Sequence, residues 1–379
     1  MLRRTPLFAA HQRLGARLIE FGGWEMPIQY TGIRAEHLAV RRAAGLFDIS
    51  HMGKFRVRGP GAAAFLQHAL TSDVRRLAVG QGQYAMLCNE RGGVVDDLYA
   101  YRVAEAEYVL IVNAARTAAD WDWLQTQVDH APTPDGFQLH DASAELAAVA
   151  VQGPRVAAFI ETVLPGGSIG GALAARLTDL KKNQVAGFVF RGESLLAART
   201  GYTGEDGFEI LVPAGLAEAL WTALLEAGRG HGLVAAGLGA RDTLRTEMGY
   251  PLYGHELNED ITPLEAGITF CVAWDKGDFT GRAALWRQKV TGLTRRCVAF
   301  RMTGAAPPPR PEYPLWSTVP NPRPVGRVTS GTLSPSLEVG IGMGFVPPEF
   351  AAPGTTLAVE IRGRRYPIEV VPKPIYRRG

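Results

Sequence analysis

The chain has 379 residues, enough for two or three domains, with 46% hydrophobic and 20% charged residues, the balance of an ordinary soluble globular protein. Its net charge of +3 is too small to argue for nucleic acid as a partner. No apolar run reaches the length of a membrane span, and the basic start MLRRTPLF lacks the apolar core of a signal peptide. Cys88, Cys271 and Cys297 are odd in number and far apart. They make neither a metal-spaced pair nor a disulfide framework, which suits a reducing cytoplasm.

In chain order, residues 11–20 carry Leu14, Leu18 and Ile19 at helical spacing and predict a helix. The next segment, FGGWEMPIQY, holds two glycines and a proline and is expected to be an irregular plug rather than a regular element. A helix with a charged face follows over 34–44, and LFDISHMGKFRVRG is strand-like. His51, beside Met52, is a lone histidine with no second His or Cys at ligand spacing, so a structural role outweighs a metal-binding one.

An internal repeat comes next. FRVRGPGAAAFLQHAL and LAAVAVQGPRVAAFIETVL each read as a strand, then Gly-Pro, then a helix, with Gly59-Pro60 matching Gly153-Pro154 and Phe65 matching Phe159. Pro suits a helix start because the N–H it lacks has no intrahelical partner there. Looser copies occur at YVLIVNAARTAADWDWL and FEILVPAGLAEALWTALL. Four such units with hairpins between them predict an α+β fold, with antiparallel sheets covered by helices on one face.

LCNERGGVVDDLYAY reads as a hairpin, with a turn over 89–93 and a second strand over 94–103. Asp96 and Asp97 interrupt that strand, where Asp is disfavoured. Alternation sends them to opposite faces, so they are not a facing pair and at most one faces the interior. A buried carboxylate needs donors or a cation, or stays protonated. From the stretch alone, an edge strand with two solvated aspartates is the favoured reading, because Asp is almost always exposed.

ARTGYTGEDGFEILVP is a glycine-rich hairpin with Tyr202 in its turn and Glu209 on its outgoing strand, on the face opposite Phe208 and Ile210. There Glu209 is either exposed or holds a ligand's amide or amidine edge. GLGARDTLRTEMGYPLYGHEL reads as a helix whose Arg241 and Arg245 share a face and, paired with acids, are structural. Neither GLGARD nor GIGMG makes a credible phosphate loop. From about residue 286 the character changes. A proline-dense loop over 304–324 and short strands broken by Gly and Pro predict a small all-β domain, with an arginine-rich end that reads as solvated surface. The boundary therefore divides a 1–285 region of interwoven α+β subdomains from a 286–379 β-domain.

Several of these stretches together resemble the T-protein family of the glycine cleavage system, the aminomethyltransferases. The opening TPLFAAHQRLGARLIEFGGWEMPIQY, then LFDISHMGKFRVRGP, GGVVDDL, VQGP, TGYTGEDGFEI, GLGARDTLRTEMGYPLYGHEL and GRVTSGTLSPSLEVGIGMGFV follow in that family's order. The resemblance covers nearly the whole chain. It implies a folate-binding region followed by a C-terminal β-barrel. It implies an enzyme that moves the methylene of an aminomethyl group from the dihydrolipoyl arm of a partner H-protein to tetrahydrofolate, a cosubstrate, with ammonia as a product and no metal. It implies Asp96 as the catalytic acid, Glu209 as the grip on the pterin amino edge, Arg241 at the folate, and Tyr202, Asn113, Tyr84 and Met52 lining the site. Two alternatives share the scaffold: a tetrahydrofolate-dependent demethylase, which would make methyltetrahydrofolate, and a non-catalytic folate-binding regulator, against which the retained carboxylate argues.

Overall fold

The computed structural model describes residues 1–130, 136–318 and 321–378. Among these, no helix is long and apolar enough to cross a membrane. The chain folds into two compact units. The first takes Met1–Leu87, Asp96–Arg241 and Ala273–Phe279, and the second takes Cys88–Val95, Asp242–Val272 and Thr280–Gly379.

The first unit is built mainly on two large sheets. In the five-stranded one the order is Gln81–Cys88, Val94–Ala104, Glu107–Val112, Gly53–Arg58 and Gln138–Asp141. The seven-stranded sheet runs Gly170–Gly171, Val185–Phe190, Glu193–Ala198, Gly207–Pro213, Leu146–Gln152, Ala44–Asp48 and Leu233–Ala235. The last pair is parallel and the other neighbouring pairs in this sheet are antiparallel. All four predicted strand–helix units form. Gly53–Arg58 leads to the helix Ala62–Ala69, Glu107–Val112 to Thr117–Val128, and Gly207–Pro213 to Ala217–Gly228. After Leu146–Gln152 the helix is reduced to a short turn and Ile160–Val163. At both Gly-Pro junctions the glycine has positive φ, 124° at Gly59 and 141° at Gly153, and a Cβ would strike backbone atoms there. Apolar residues from the seven-stranded sheet and its helices, including Phe159, Phe188, Phe208 and Trp221, make a buried core. Each such side chain contributes roughly 1.5–3 kcal/mol relative to exposure.

The N-terminal segment departs from the helix predicted over 11–20. The helix lies earlier, at Phe8–Arg13, and residues 17–29 form a hairpin, Arg17–Phe21 with Trp24–Gln29. The expected plug is therefore largely a strand. Gly22 and Gly23, at φ 57° and 82°, supply the two positive-φ residues of a tight hairpin turn. Their effect is to fold the chain back rather than to break it into a loop, and Gly15 at φ 69° ends the helical pattern that Leu14, Leu18 and Ile19 imitate.

The second unit contains a closed six-stranded barrel: Arg296–Met302, Gly340–Val346, Pro324–Leu333, Pro314–Ser317, Thr356–Ile361 and Arg364–Val371. Its interior is filled by Val298, Phe300, Leu315, Val328, Leu357, Val359, Ile368 and Val370. Pro314–Ser317 is a strand inside the predicted proline-dense loop, and residues 319 and 320 of that loop lie outside the described residues. Arg245 is structural as expected, with Asp242 at 2.7 Å and Glu256 at 3.2 Å.

Candidate functional site

The two aspartates do not lie on an edge strand. Val94–Ala104 is internal to its sheet, between Gln81–Cys88 and Glu107–Val112. Both faces of the strand are covered. On the odd-numbered face Tyr99, Tyr101 and Val103 pack with Val185, Leu196 and Ala198 of the seven-stranded sheet. On the other face Asp96 meets Asp120 of the helix Thr117–Val128. The expectation that at most one aspartate faces the interior assumed a sheet with one wet side, and this sheet has none here.

Asp96 has no solvent-exposed surface at all, 0%, whereas Asp97 is part-buried. Asn113 joins them. The register of the neighbouring strand pairs Tyr99 with Ile111, so two residues further on Asn113 stands opposite Asp97, on the same face. Its Nδ2 donates to Asp96 Oδ1 at 2.8 Å and to Asp97 Oδ1 at 2.9 Å, and its backbone N–H donates to Asp96 Oδ2 at 2.9 Å. Tyr84 donates its hydroxyl to Asp97 Oδ2 at 2.7 Å. Asp97 is pushed up to about 7, first by burial and then by the negative charge of Asp96, against the hydrogen bonds from Tyr84 and Asn113. Asp96 is also raised by burial, and Asp120 is pushed up to about 11 by burial and by Asp96. Among the described residues no group of three or more His, Cys, Asp or Glu side chains converges as a metal-ligand set.

Glu209 sits on Gly207–Pro213, where Gly207 lets two backbones approach closely and the strand pairs with Leu146–Gln152. Thr200 donates its hydroxyl to Glu209 Oε2 at 2.6 Å, and the Tyr101 hydroxyl lies 2.8 Å from Thr200 Oγ1. Because the threonine proton is committed to the carboxylate, the tyrosine is the donor in that second bond. Arg241 lies over the Tyr202 ring at 4.8 Å, a cation–π contact, and within electrostatic reach of Glu209. Its burial lowers its affinity for its proton, and the charges of Glu209 and Tyr202 oppose that.

These two groups share one strand face. Asp97, Tyr99 and Tyr101 alternate onto the same side, Tyr99 and Tyr101 stack at 5.0 Å, and Tyr101 reaches Glu209 through Thr200. Asp96 points the other way. Met52, also part-buried, lies in the turn between Ala44–Asp48 and Gly53–Arg58. Asp48 Oδ1 accepts from the Ser50 N–H, and Lys54 Nζ donates to the Ser50 carbonyl, so the turn is pinned from both sides. Next to Met52, His51 is pushed down to about 4 by burial, and the Arg241 charge adds to the shift.

The structure thus brings Tyr84, Asn113 and both aspartates together, and Glu209, Arg241 and Tyr202 together. Thr200, Tyr101 and Asp120 were not found from the sequence. Tyr101 carries a legible signal, since it lies four residues from Asp97 and so on its face. Thr200 and Asp120 are ordinary residues in their segments, and only the tertiary fold shows what they touch.

Residues 7–276 match the GCVT N-terminal domain, and residues 295–377 match the glycine cleavage T-protein C-terminal barrel domain. An aminomethyltransferase of Symbiobacterium thermophilum is 48% identical over 379 residues, covering 99% of this chain and 98% of the relative. One from Geobacillus kaustophilus is 46% identical over 386 residues, covering 100% of both. The crystal structure of the glycine cleavage system aminomethyltransferase T from Bartonella henselae superposes with a TM-score of 0.88 at 35% identity, covering 99% of this chain and 98% of that one.

Proposed function

The chain belongs to the glycine cleavage T-protein family of aminomethyltransferases, and from that premise we propose that it passes the methylene of an aminomethyl group, carried on the dihydrolipoyl arm of an H-protein, to tetrahydrofolate. In this reaction the methylene carbon loses its bonds to nitrogen and sulfur and gains bonds to folate N5 and N10. The two protons leaving N5 and N10 balance those taken up by the departing amine and thiolate. Ammonia, the dithiol arm and 5,10-methylenetetrahydrofolate are the products.

Such a reaction needs a carboxylate that can hold and release a proton beside N5 and N10 and can face a transiently cationic carbon. The observation that carries our reading is the difference between the two aspartates. Asp97 keeps accessible surface, shares its strand face with the relay to Glu209, and sits at about 7, where both protonation states are available. Asp96, the residue that the sequence resemblance selects, has no exposed surface and faces Asp120 on the other side of the strand. We therefore place the working carboxylate at Asp97 and put Asp96 behind it. Tyr84 and Asn113 orient Asp97. Glu209, held by Thr200, accepts two parallel hydrogen bonds from the pterin amino edge, and Arg241 with Tyr202 flanks the ring. Met52, on its pinned turn, is an apolar wall.

Incubation with tetrahydrofolate and aminomethylated lipoyl H-protein tests this. Ammonia release with formation of 5,10-methylenetetrahydrofolate is the expected result. Methyltetrahydrofolate formed in a parallel incubation with a sulfonium or methoxy methyl donor, with no ammonia released from the H-protein substrate, would instead identify a demethylase on the same scaffold, and folate binding without turnover of either substrate would identify a regulator.

A further inference from the structure

Asp120 has no role in the site as described so far, and its surroundings are unusual for a carboxylate. It is fully buried in the first turn of Thr117–Val128. Neither of its oxygens accepts a hydrogen bond from a donor among the described residues. Yet its side chain lies in hydrogen-bonding contact with the carboxylate of Asp96. Carboxylate oxygens repel one another at that range unless a proton lies between them. The charged and titratable groups acting on Asp120 are Asp96 and Asp97 from the strand and Arg116 from the turn before the helix.

We propose that Asp120 and Asp96 share a single proton as a buried acid–carboxylate pair, and that the one negative charge left on the pair stands beside Asp97 and governs how readily Asp97 gives up its own proton. The proton resides on Asp120, which donates to Asp96. Asp96 remains ionised, because it also accepts two hydrogen bonds from Asn113, one from the side chain and one from the backbone. Its charge, one residue from Asp97 and joined to it through Asn113 Nδ2, opposes ionisation of Asp97. Asp120 and Asp96 are positioning residues. They touch no substrate and act only by setting the charge beside the group that does.

The inference rests on Asp97 as the working carboxylate, so its test begins with Asp97→Asn. If that variant keeps normal turnover, the proposed function of Asp97 fails first. If turnover is lost, the pH profile of kcat/KM decides the present proposal. Asp96→Asn removes the charge, and the acid limb is expected to move to lower pH by ~1 unit or more, the usual effect of a close like charge. Asp120→Asn still donates to Asp96 and should leave the limb within about half a unit of wild type. Asp120→Leu removes the donor, so that Asp96 takes up a proton itself, and should move the limb as Asp96→Asn does. Should the leucine variant not fold, the two asparagine variants carry the test. An independent readout needs no turnover: infrared difference spectra at mildly alkaline pH should show a protonated carboxyl that Asp120→Asn abolishes. An acid limb unmoved in Asp96→Asn, or a protonated carboxyl that survives Asp120→Asn, would overturn the proposal.

Discussion

Tyr84 donates its phenolic hydroxyl to Asp97 Oδ2 at 2.7 Å, a bond that favours the ionised carboxylate against the burial that opposes it. Removing it with Tyr84→Phe takes away a hydrogen bond to a charged group, worth roughly 1.5–3 kcal/mol. The acid limb of kcat/KM should therefore rise by about one pH unit, since one unit corresponds to 1.36 kcal/mol. An unshifted limb would separate Tyr84 from the titration of Asp97.

Thr200 tests the other end of the strand face. Its hydroxyl is the bridge between Tyr101 and Glu209. Thr200→Val keeps the shape and deletes the bridge, so Glu209 loses a fixed orientation. Tetrahydrofolate should bind about tenfold more weakly, with Thr200→Ser restoring it and kcat little changed. Glu209→Ala should weaken binding at least as much. Calorimetric dissociation constants that stay at the wild-type value in both variants would remove this pair from the pterin site.

The raised value of Asp97 is also a statement about stability. The neutral acid is the form that the fold favours, because the folded value stands at about 7 against an ordinary 3.8. Its contribution is fully present below the unfolded value and is lost as pH rises through about 7. Asp97→Asn, which stays neutral, should therefore be more thermostable than wild type at pH above that value. A gain of roughly 2–4 °C corresponds to each kcal/mol relieved, and the difference should close toward acid pH. Scanning calorimetry on either side of neutrality measures it, and a gap that widens in acid would reverse the sign.

Much of the architecture was legible because local patterns and global fold agree. The Gly-Pro junctions at Gly59 and Gly153 mark real strand-to-helix turns, and the short strands broken by Gly and Pro past residue 296 close into a barrel. The N-terminal hairpin is hidden in the sequence because Gly22 and Gly23 signal both loops and tight turns, and only pairing with Arg17–Phe21 distinguishes them. At the site, alternation correctly sends Asp96 and Asp97 to different sides of their strand. It could not reveal that a second sheet covers one side and Thr117–Val128 the other, because those contacts join segments remote in sequence. Asn113 then bonds to both carboxylates from the adjoining strand, a link that depends on register rather than on spacing along the chain. A sequence pattern can mark the acidic pair. The partners on each side of the strand, Asp120 against Asp96 and Tyr84 on Asp97, are what tell its two members apart.

We have proposed Asp97, with Asp96 behind it, as the carboxylate that serves methylene transfer. Single-turnover ammonia release from aminomethylated lipoyl H-protein, with tetrahydrofolate saturating, tests it in Asp97→Asn and Asp96→Asn side by side. The account predicts that Asp97→Asn loses two or more decades in rate at every pH, the usual scale for a general acid–base group. Its folate dissociation constant should stay within about tenfold of wild type, while Asp96→Asn keeps a measurable rate with its acid limb displaced. Full loss in Asp96→Asn together with a near-normal rate in Asp97→Asn would contradict the account and return the role to Asp96.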